Sequence, residues 1–582
     1  MFKVRNYWFT FLFLLPFTFC YSRDNDLIIE NVLSNMTLDE KIGQLFMVAT
    51  VADPKHWDSS SFGIDPNSYQ QVNKKYINHL IEKYHIGGII FQRISTPGAL
   101  NRAINHYQVF NKRHNQIPLL IGQDLEWGLS MRMTDVVRFP HNMPLGAIQD
   151  NDLICAMGKE IARQCKILGV HINFSPVVDI NTNPANPIIG DRSFGEDKDN
   201  VVQKATAMMK GLQDSGIIAC AKHFPGHGDT SKDSHKMLPT VEHNNVRLNS
   251  VELYPFRKLI KNGIQAIMTA HLDVPALDSE RCASSLSHKI VKKLLQEKYK
   301  FNGLTITDGL DMKGVAQDKP LGFVELQALR AGNDILLCPK HIPEAITLIK
   351  KALIDGGLSE FELDNHVRKI VRAKLDAMGV FEKFSHVQIS PSNLSARLNT
   401  KKAQALKKKL YYSSITLVKN EGVLPLNKDN SMAYIQIGGK QDSKFLRKIK
   451  SYSSPICYHL SANVAKNEVA KIIQRIDKNT PVVVGIMGMN RFASRNYGVS
   501  SSMTEAIKII RKHHNNVVFV LFGIPYALKW FGDISTTIIA YEDDEDAQNA
   551  AADVLVGRHN PTGSLPVSVS CDLKIGSGSS FS

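Results

Sequence analysis

Between about residue 35 and residue 385, short apolar runs alternate with longer stretches whose apolar positions recur at helical spacing. Runs of strand length separated by amphipathic helical stretches predict a parallel sheet with crossover helices. The runs fall at 44–50, 88–92, 118–124, 170–179, 217–224, 266–271, 304–308 and 334–338. Eight such units are what a (β/α)8 barrel needs to close. Ahead of the first run, Thr37-Leu38-Asp39-Glu40 has the spacing of a capping box and marks an entry helix. Further runs at 415–419, 433–437, 481–487, 517–523 and 537–541 again alternate with helical stretches. The pattern therefore predicts an α/β chain: a TIM-type barrel domain over 30–385, a polar and basic linker over 386–410, and a smaller layered α/β domain over 411–575.

The first 22 residues stand apart as a signal peptide. Lys3 and Arg5 form a positive start, residues 7–19 an apolar stretch, and Cys20-Tyr21-Ser22 a site for cleavage. This predicts an exported protein, periplasmic or attached to the cell envelope. The competing reading makes Cys20 a lipid-bearing first residue, the one route by which a membrane enters the expectation. Seven cysteines remain, with no C-x-x-C pair, and several lie in apolar runs where buried free thiols are expected.

At 582 residues and 65.0 kDa the chain exceeds one ordinary domain of roughly 100–200 residues. Its 43% hydrophobic and 21% charged content supports a large core and excludes wholesale disorder. No 20–50-residue repeat marks a solenoid or propeller. The net charge of +15 is spread along the chain, without zinc-finger spacing or aromatic-interleaved basic stretches. It reads as a solvated basic surface rather than a nucleic-acid footprint.

Candidate chemistry sits at the ends of the predicted strands. The third run ends in Asp124 followed by Glu126, the fourth in Asp179, the fifth in Lys222-His223, the sixth in His271 and the seventh in Asp308. Ionisable groups at strand ends are costly unless they face a wet mouth, and in barrels the C-terminal mouth holds the active site. The densest segment is Lys222-His223-Phe224-Pro225-Gly226-His227-Gly228-Asp229-Thr230, followed by Asp233-Ser234-His235. His223, His227 and His235 could converge on a metal, but the loop lacks the helical H-E-x-x-H spacing and an acidic or thiolate complement. No metal site is expected.

This segment resembles the signature of family 3 glycoside hydrolases, in their β-N-acetylglucosaminidase branch. Met36-Thr37-Leu38-Asp39-Glu40-Lys41-Ile42-Gly43-Gln44-Leu45 is similar to the family's entry helix. Arg192-Ser193-Phe194-Gly195 and Thr307-Asp308-Gly309-Leu310-Asp311-Met312 resemble two further family segments. Thr416-Leu417-Val418-Lys419-Asn420 and Gly563-Ser564-Leu565-Pro566-Val567 resemble its C-terminal domain, which implies an α/β sandwich over 411–575. The resemblance spans roughly residues 30–575.

It implies Asp308 as nucleophile, His235 as general acid/base and Asp233 as its partner. Asp124, Arg192, Lys222 and His223 would bind the N-acetylated sugar. A carboxylate can attack an oxocarbenium-like carbon and leave again with retention, and a histidine suits proton shuttling near neutrality. His271 and Asp179 would have only supporting roles. The family's D-x-E-G-G-R segment departs here to Asp124-Leu125-Glu126-Trp127-Gly128-Leu129, with the arginine displaced to Arg132. Trp127 offers either a stacking face or core filling.

The implied activity is an exported retaining exo-β-N-acetylhexosaminidase acting on peptidoglycan fragments or chitooligosaccharides, without cofactor. The β-lactamase-like domain that some related proteins carry is not expected. Three rivals stay open: a β-glucosidase or β-xylosidase of the same family, an N-acetylglucosaminide phosphorylase, and a non-catalytic wall-binding protein.

Overall fold

The computed structural model describes residues 18–53, 74–231, 238–316, 319–379, 393–427, 431–532 and 536–581. Each of the eight runs contains a strand: β1 (Phe46–Val51), β2 (Gly88–Gln92), β3 (Leu120–Gln123), β4 (Ile172–Asn173), β5 (Ile218–Phe224), β6 (Ala266–Thr269), β7 (Leu304–Thr307) and β8 (Leu336–Leu337). They pair in parallel in the order β7-β6-β5-β4-β3-β2-β1-β8. A parallel bridge between Ile306 and Ile335 joins the two ends, so the sheet closes nearly into the expected barrel. Strands covered on both faces can be apolar throughout, which is why they read as continuous runs. In the fourth run Pro176 has no N–H and interrupts the ladder. Beyond it, the Val178 N–H donates to the Lys222 carbonyl at 2.8 Å, which sets Asp179 against the end of β5.

The entry helix Leu38–Gly43 carries the capping box that Thr37 and Glu40 predict. The opposite end of the barrel from the candidate mouth is covered by the helix Glu360–Met378, against which the helix Thr18–Asn35 packs. That first helix begins inside the segment read as a signal peptide, of which residues 1–17 lie outside the described residues. Lys374, fully buried under the barrel, donates to Gln44 Oε1 at 2.6 Å. Burial pushes its ammonium down to about 7. A depressed lysine binds fewer protons folded than unfolded, so its contribution is least favourable below about pH 7 and improves as pH rises toward 10.5. Lys374→Met is therefore expected to stabilise the protein by about 2 kcal/mol at pH 7. Urea denaturation across pH 6–10 checks this: the gain should shrink as pH rises, and a destabilised variant would contradict it.

Among the described residues the second domain holds six strands, one more than predicted: β9 (Thr416–Lys419), β10 (Ala433–Ile437), β11 (Ile456–Leu460), β12 (Val482–Ile486), β13 (Val517–Leu521) and β14 (Thr536–Ile539). Their order is β11-β10-β12-β13-β14-β9, with β9 antiparallel to β14 and the other pairs parallel. The additional strand, β11, lies at the edge and is largely exposed, so it lacks the apolar run that marks an interior strand. Separate apolar clusters on the two faces make this a layered sandwich.

The stretch read as a linker is partly helical. Leu394–Leu398 and Lys401–Ser414 are helices, the latter capped by Thr400 and burying Ala403, Leu410 and Tyr411. Its many lysines concealed an apolar stripe at helical spacing. The two domains meet across a polar and apolar seam. Buried Glu542 accepts from the His141 N–H at 2.7 Å and the Tyr411 hydroxyl at 2.9 Å. The Glu196 N–H donates to the Pro566 carbonyl at 3.0 Å. The segment 192–195 and the terminal 563–567 segment are thus neighbours in space. The seven cysteines beyond residue 22 are free thiols.

Candidate active site

The C-terminal ends of β3, β4 and β5 converge on a buried charge cluster. Lys222, 2% exposed, places Nζ 2.8 Å from Asp124 Oδ1 and 2.9 Å from Glu126 Oε1. Arg192, on the loop after β4, makes a fork to Glu126 with Nε at 2.9 Å and Nη2 at 2.7 Å. Paired N–H donors on one carboxylate fix orientation as well as charge. Arg132 Nη2 reaches Asp124 Oδ2 at 2.9 Å, so the displaced arginine still meets the aspartate at the start of its segment.

Burial opposes ionisation of both carboxylates, but their cations outweigh it. Lys222 and Arg132 hold Asp124 at about 2, and Arg192 and Lys222 hold Glu126 well below the usual range. Burial opposes Arg192 too, and Glu126 overrides it and raises the guanidinium. The cluster is ionised throughout the ordinary pH range, a set of fixed donors and acceptors suited to hydroxyl and amide groups.

His223, next along β5, hydrogen-bonds Asp179 Oδ2 through Nδ1 at 2.6 Å. With Nδ1 donating there, Nε2 is the acceptor for Arg192 Nη2 at 3.4 Å. Asp179 also accepts the His227 N–H at 2.7 Å, which ties the Pro225-Gly226-His227-Gly228 turn to the end of β4. The turn needs its glycines. Gly226 has φ 131°, and a Cβ on Gly228 would lie 1.8 Å from the Ile180 carbonyl. His227 is an internal brace: Nδ1 contacts Thr230 Oγ1 at 2.7 Å, and burial pushes its imidazole down to about 4. Among the described residues, no group of three or more His, Cys, Asp or Glu side chains is arranged to hold a metal ion.

Asp308 caps β7. Its N–H donates to Thr269 O, and its Oδ1 accepts the Gly309 N–H, both at 2.8 Å. His271, fully buried after β6, bonds Ser285 Oγ at 2.7 Å and Gly309 O at 2.9 Å, and so holds the backbone next to Asp308. Burial first, then the charges of Asp311, Asp124 and Asp308, raise the Cys338 thiol. Asp308 and Asp124 thus act on one buried group. Of the seven candidate site residues, Asp124, Arg192, Lys222 and His223 interlock, and Asp308 stands at the end of β7. Asp233 and His235 fall in 232–237, outside the described residues.

The sequence matches the glycosyl hydrolase family 3 N-terminal domain over residues 37–373 and the family's C-terminal domain over 415–577. The chain belongs to glycosyl hydrolase family 3. It is 29% identical to Beta-hexosaminidase A of Pseudoalteromonas piscicida, over 85% of this chain and 91% of that protein. A Beta-N-acetylglucosaminidase/beta-glucosidase of Cellulomonas fimi is 27% identical over 70% of each chain. A solved family 3 β-N-acetylglucosaminidase from Paenibacillus sp. str. FPU-7 superposes with TM-score 0.74 at 28% identity, covering 92% of this chain and 99% of that one.

In this family 3 hydrolase Glu126, a strand-end carboxylate to which the sequence resemblance gives no role, is part of the site. Glu126 is fully buried and holds both Arg192 and Lys222. Its signal was present: two residues beyond Asp124, it is a second carboxylate where an apolar or turn residue would serve a purely structural end. Asp179 has the supporting role expected of it, through its bonds to His223 and His227.

Proposed function

We propose that the chain is a retaining exo-β-N-acetylhexosaminidase that releases terminal β-linked N-acetylglucosamine from peptidoglycan fragments or chitooligosaccharides. The observation that carries this reading is Asp308 at the end of β7, on the same barrel mouth as the interlocked Asp124–Lys222–Glu126–Arg192 cluster. The names of the relatives point to the same class of sugar.

In the mechanism, the cluster and His223 bind the sugar's hydroxyl and acetamido groups. Asp308 Oδ attacks the anomeric carbon as the bond to the leaving oxygen breaks, giving a glycosyl ester. His235, oriented by Asp233, donates the proton that the leaving oxygen takes up. It then removes a proton from the water that cleaves the ester, so configuration is retained. Export directed by residues 1–22 would bring the enzyme to wall material in the envelope.

Incubation with a 5-fluoro-N-acetylglucosaminyl fluoride, followed by peptide mass spectrometry, tests the reading. The expected result is one 5-fluoro-N-acetylglucosaminyl adduct on Asp308, with the anomeric fluoride released. Label on another carboxylate, or faster turnover of an aryl glucoside than of an aryl N-acetylglucosaminide, would overturn it. Replacing His235 by alanine is expected to cost about 10²–10⁴-fold with a sugar leaving group. An activated dinitrophenyl leaving group needs no proton and should suffer far less in the cleavage step. Equal losses on both would contradict the acid role.

A further inference from the structure

His141 stands where the sugar cluster and the second domain meet. It caps the short helix Asn142–Ala147. Met143 and Ala147 of that helix belong to an apolar cluster of the second domain, and the Ser564 N–H donates to the Ala147 carbonyl at 3.0 Å. On the other side, Asn142 Nδ2 donates to the Arg192 carbonyl at 2.6 Å. Gly146 comes so near Phe194 that a Cβ would lie 1.8 Å from the Phe194 carbonyl oxygen. The helix is therefore packed both against the segment that carries Arg192 and against the domain behind it.

The buried His141 side chain joins the same two parts. Nδ1 hydrogen-bonds Asp191 Oδ2 at 2.7 Å, and Asp191 directly precedes Arg192, whose fork holds Glu126. Glu542 of the second domain accepts the His141 N–H at 2.7 Å and lies 3.8 Å from Nδ1. The imidazole centre is 4.2 Å from that of the Trp127 ring, and Trp127 directly follows Glu126. Burial alone would keep the imidazole neutral. Glu542 and Asp191 outweigh burial and raise its pKa, against the opposing charge of Arg491. Burial opposes ionisation of Asp191 as well, and His141 and Arg491 override it. The remaining polar groups around this bridge are Arg192, beside Asp191, and Arg138 and the Tyr411 hydroxyl, both on Glu542.

We infer that His141 is a positioning residue of the sugar site, which ties Arg192 and Trp127 to the docked second domain through its bonds to Asp191 and Glu542. An imidazolium between carboxylates of two domains holds both, and charge-assisted hydrogen bonds are about twice as strong as neutral ones. Loss of its proton leaves Asp191 and Glu542 without the cation that they share. Asp191 then competes with Glu126 for Arg192, whose charge already acts on it. Because the folded pKa is raised, the bridge contributes fully below 6.5, the usual value, and is lost as pH rises through the folded value. Sugar affinity should fall over the same range. The inference rests on the proposed glycosidase reading for the identity of that sugar.

Two titrations of the wild-type protein between about pH 6 and pH 9 test it. An imidazolium quenches a neighbouring indole more than a neutral imidazole does. Tryptophan emission should therefore rise in a single step, with its midpoint above 6.5. Calorimetry with N-acetylglucosamine, the proposed product, should show affinity falling about tenfold across that step. His141→Gln keeps a donor for Asp191 without the charge. It should abolish the emission step and hold affinity at the weaker limit throughout, with circular dichroism unchanged. Glu542→Gln should move the wild-type midpoint down. The wild-type titrations decide the question even where a variant fails to fold. Absence of the step, a midpoint below 6.5, a step that survives His141→Gln or ignores Glu542→Gln, or constant affinity across the step would overturn the positioning role. Wild type that hydrolyses an aryl N-acetylglucosaminide yet binds the sugar equally on both sides of the step would lose this inference and keep the glycosidase reading. Wild type that ignores N-acetylglucosamine but cleaves an aryl glucoside, with KM rising about tenfold across the step, would do the reverse.

Discussion

Asp308→Ala is expected to lower kcat on an aryl N-acetylglucosaminide by about 10⁴-fold or more, because removing a nucleophile removes the covalent path itself. Fold stability should change little. Asp308 is only partly buried, and the backbone around it is held independently, by Thr269 O on its own N–H and by His271 on Gly309 O. The missing carboxylate leaves space beside the anomeric carbon, so azide should restore part of the rate with an activated leaving group. The product would be the glycosyl azide of inverted configuration, since one displacement replaces two. Circular dichroism and thermal unfolding separate this from misfolding. Turnover within a few-fold of wild type would end the proposed mechanism, and rescue to a retained product would assign the nucleophile elsewhere.

The largest stability effect is expected at Glu126. Its carboxylate is fully buried between Arg192 and Lys222, and Glu126→Ala leaves two buried cations facing the remaining charge of Asp124. Breaking one side of such a cluster typically costs about 3–5 kcal/mol, because an unpaired buried charge has lost water and gained nothing. Urea denaturation at pH 7 measures it. The paired variant Glu126→Leu with Lys222→Met should recover part of the loss while binding no sugar, since it removes the charge together with one of its two partners. A loss below about 1 kcal/mol would mean that water solvates this cluster as it does surface pairs.

The acid limb of the pH–stability curve gives a second readout. Asp124 is held at about 2 and Glu126 well below its usual range, both lower than in an unfolded chain. Their stabilisation is therefore complete above about pH 4.5 and declines as pH falls toward and through the folded values. Glu126→Gln should flatten that decline.

The contacts of Asp124 show how unevenly the site is written in the sequence. Asp124, Lys222, His223 and Asp308 each end an apolar run, and a chargeable residue in that place is visible in one dimension. Arg132 was seen only as a displaced arginine, and its 2.9 Å contact with Asp124 depends on the path of the loop between them. Glu126 finds its partners 66 and 96 positions away, and nothing local signals either. β11 and the helix Lys401–Ser414 were missed for a different reason: exposure at an edge and a wealth of lysine blur the periodicity by which elements are recognised.

The sequence by itself determined the architecture. Eight apolar runs set between amphipathic stretches bury properly only as parallel strands under helices, and that pattern is written in local order. It also determined which chemistry is available at the mouth, through the residue types that end those runs. The tertiary structure alone decided how these groups are paired: Lys222 between two carboxylates, Arg192 forked on Glu126, His223 turned by Asp179, and Arg491 of the second domain against Trp127. Pairing is a matter of distance between side chains far apart along the chain, and Coulomb and hydrogen-bond energies fall off within a few ångströms. Only the closed barrel and the docked second domain bring those atoms within that range.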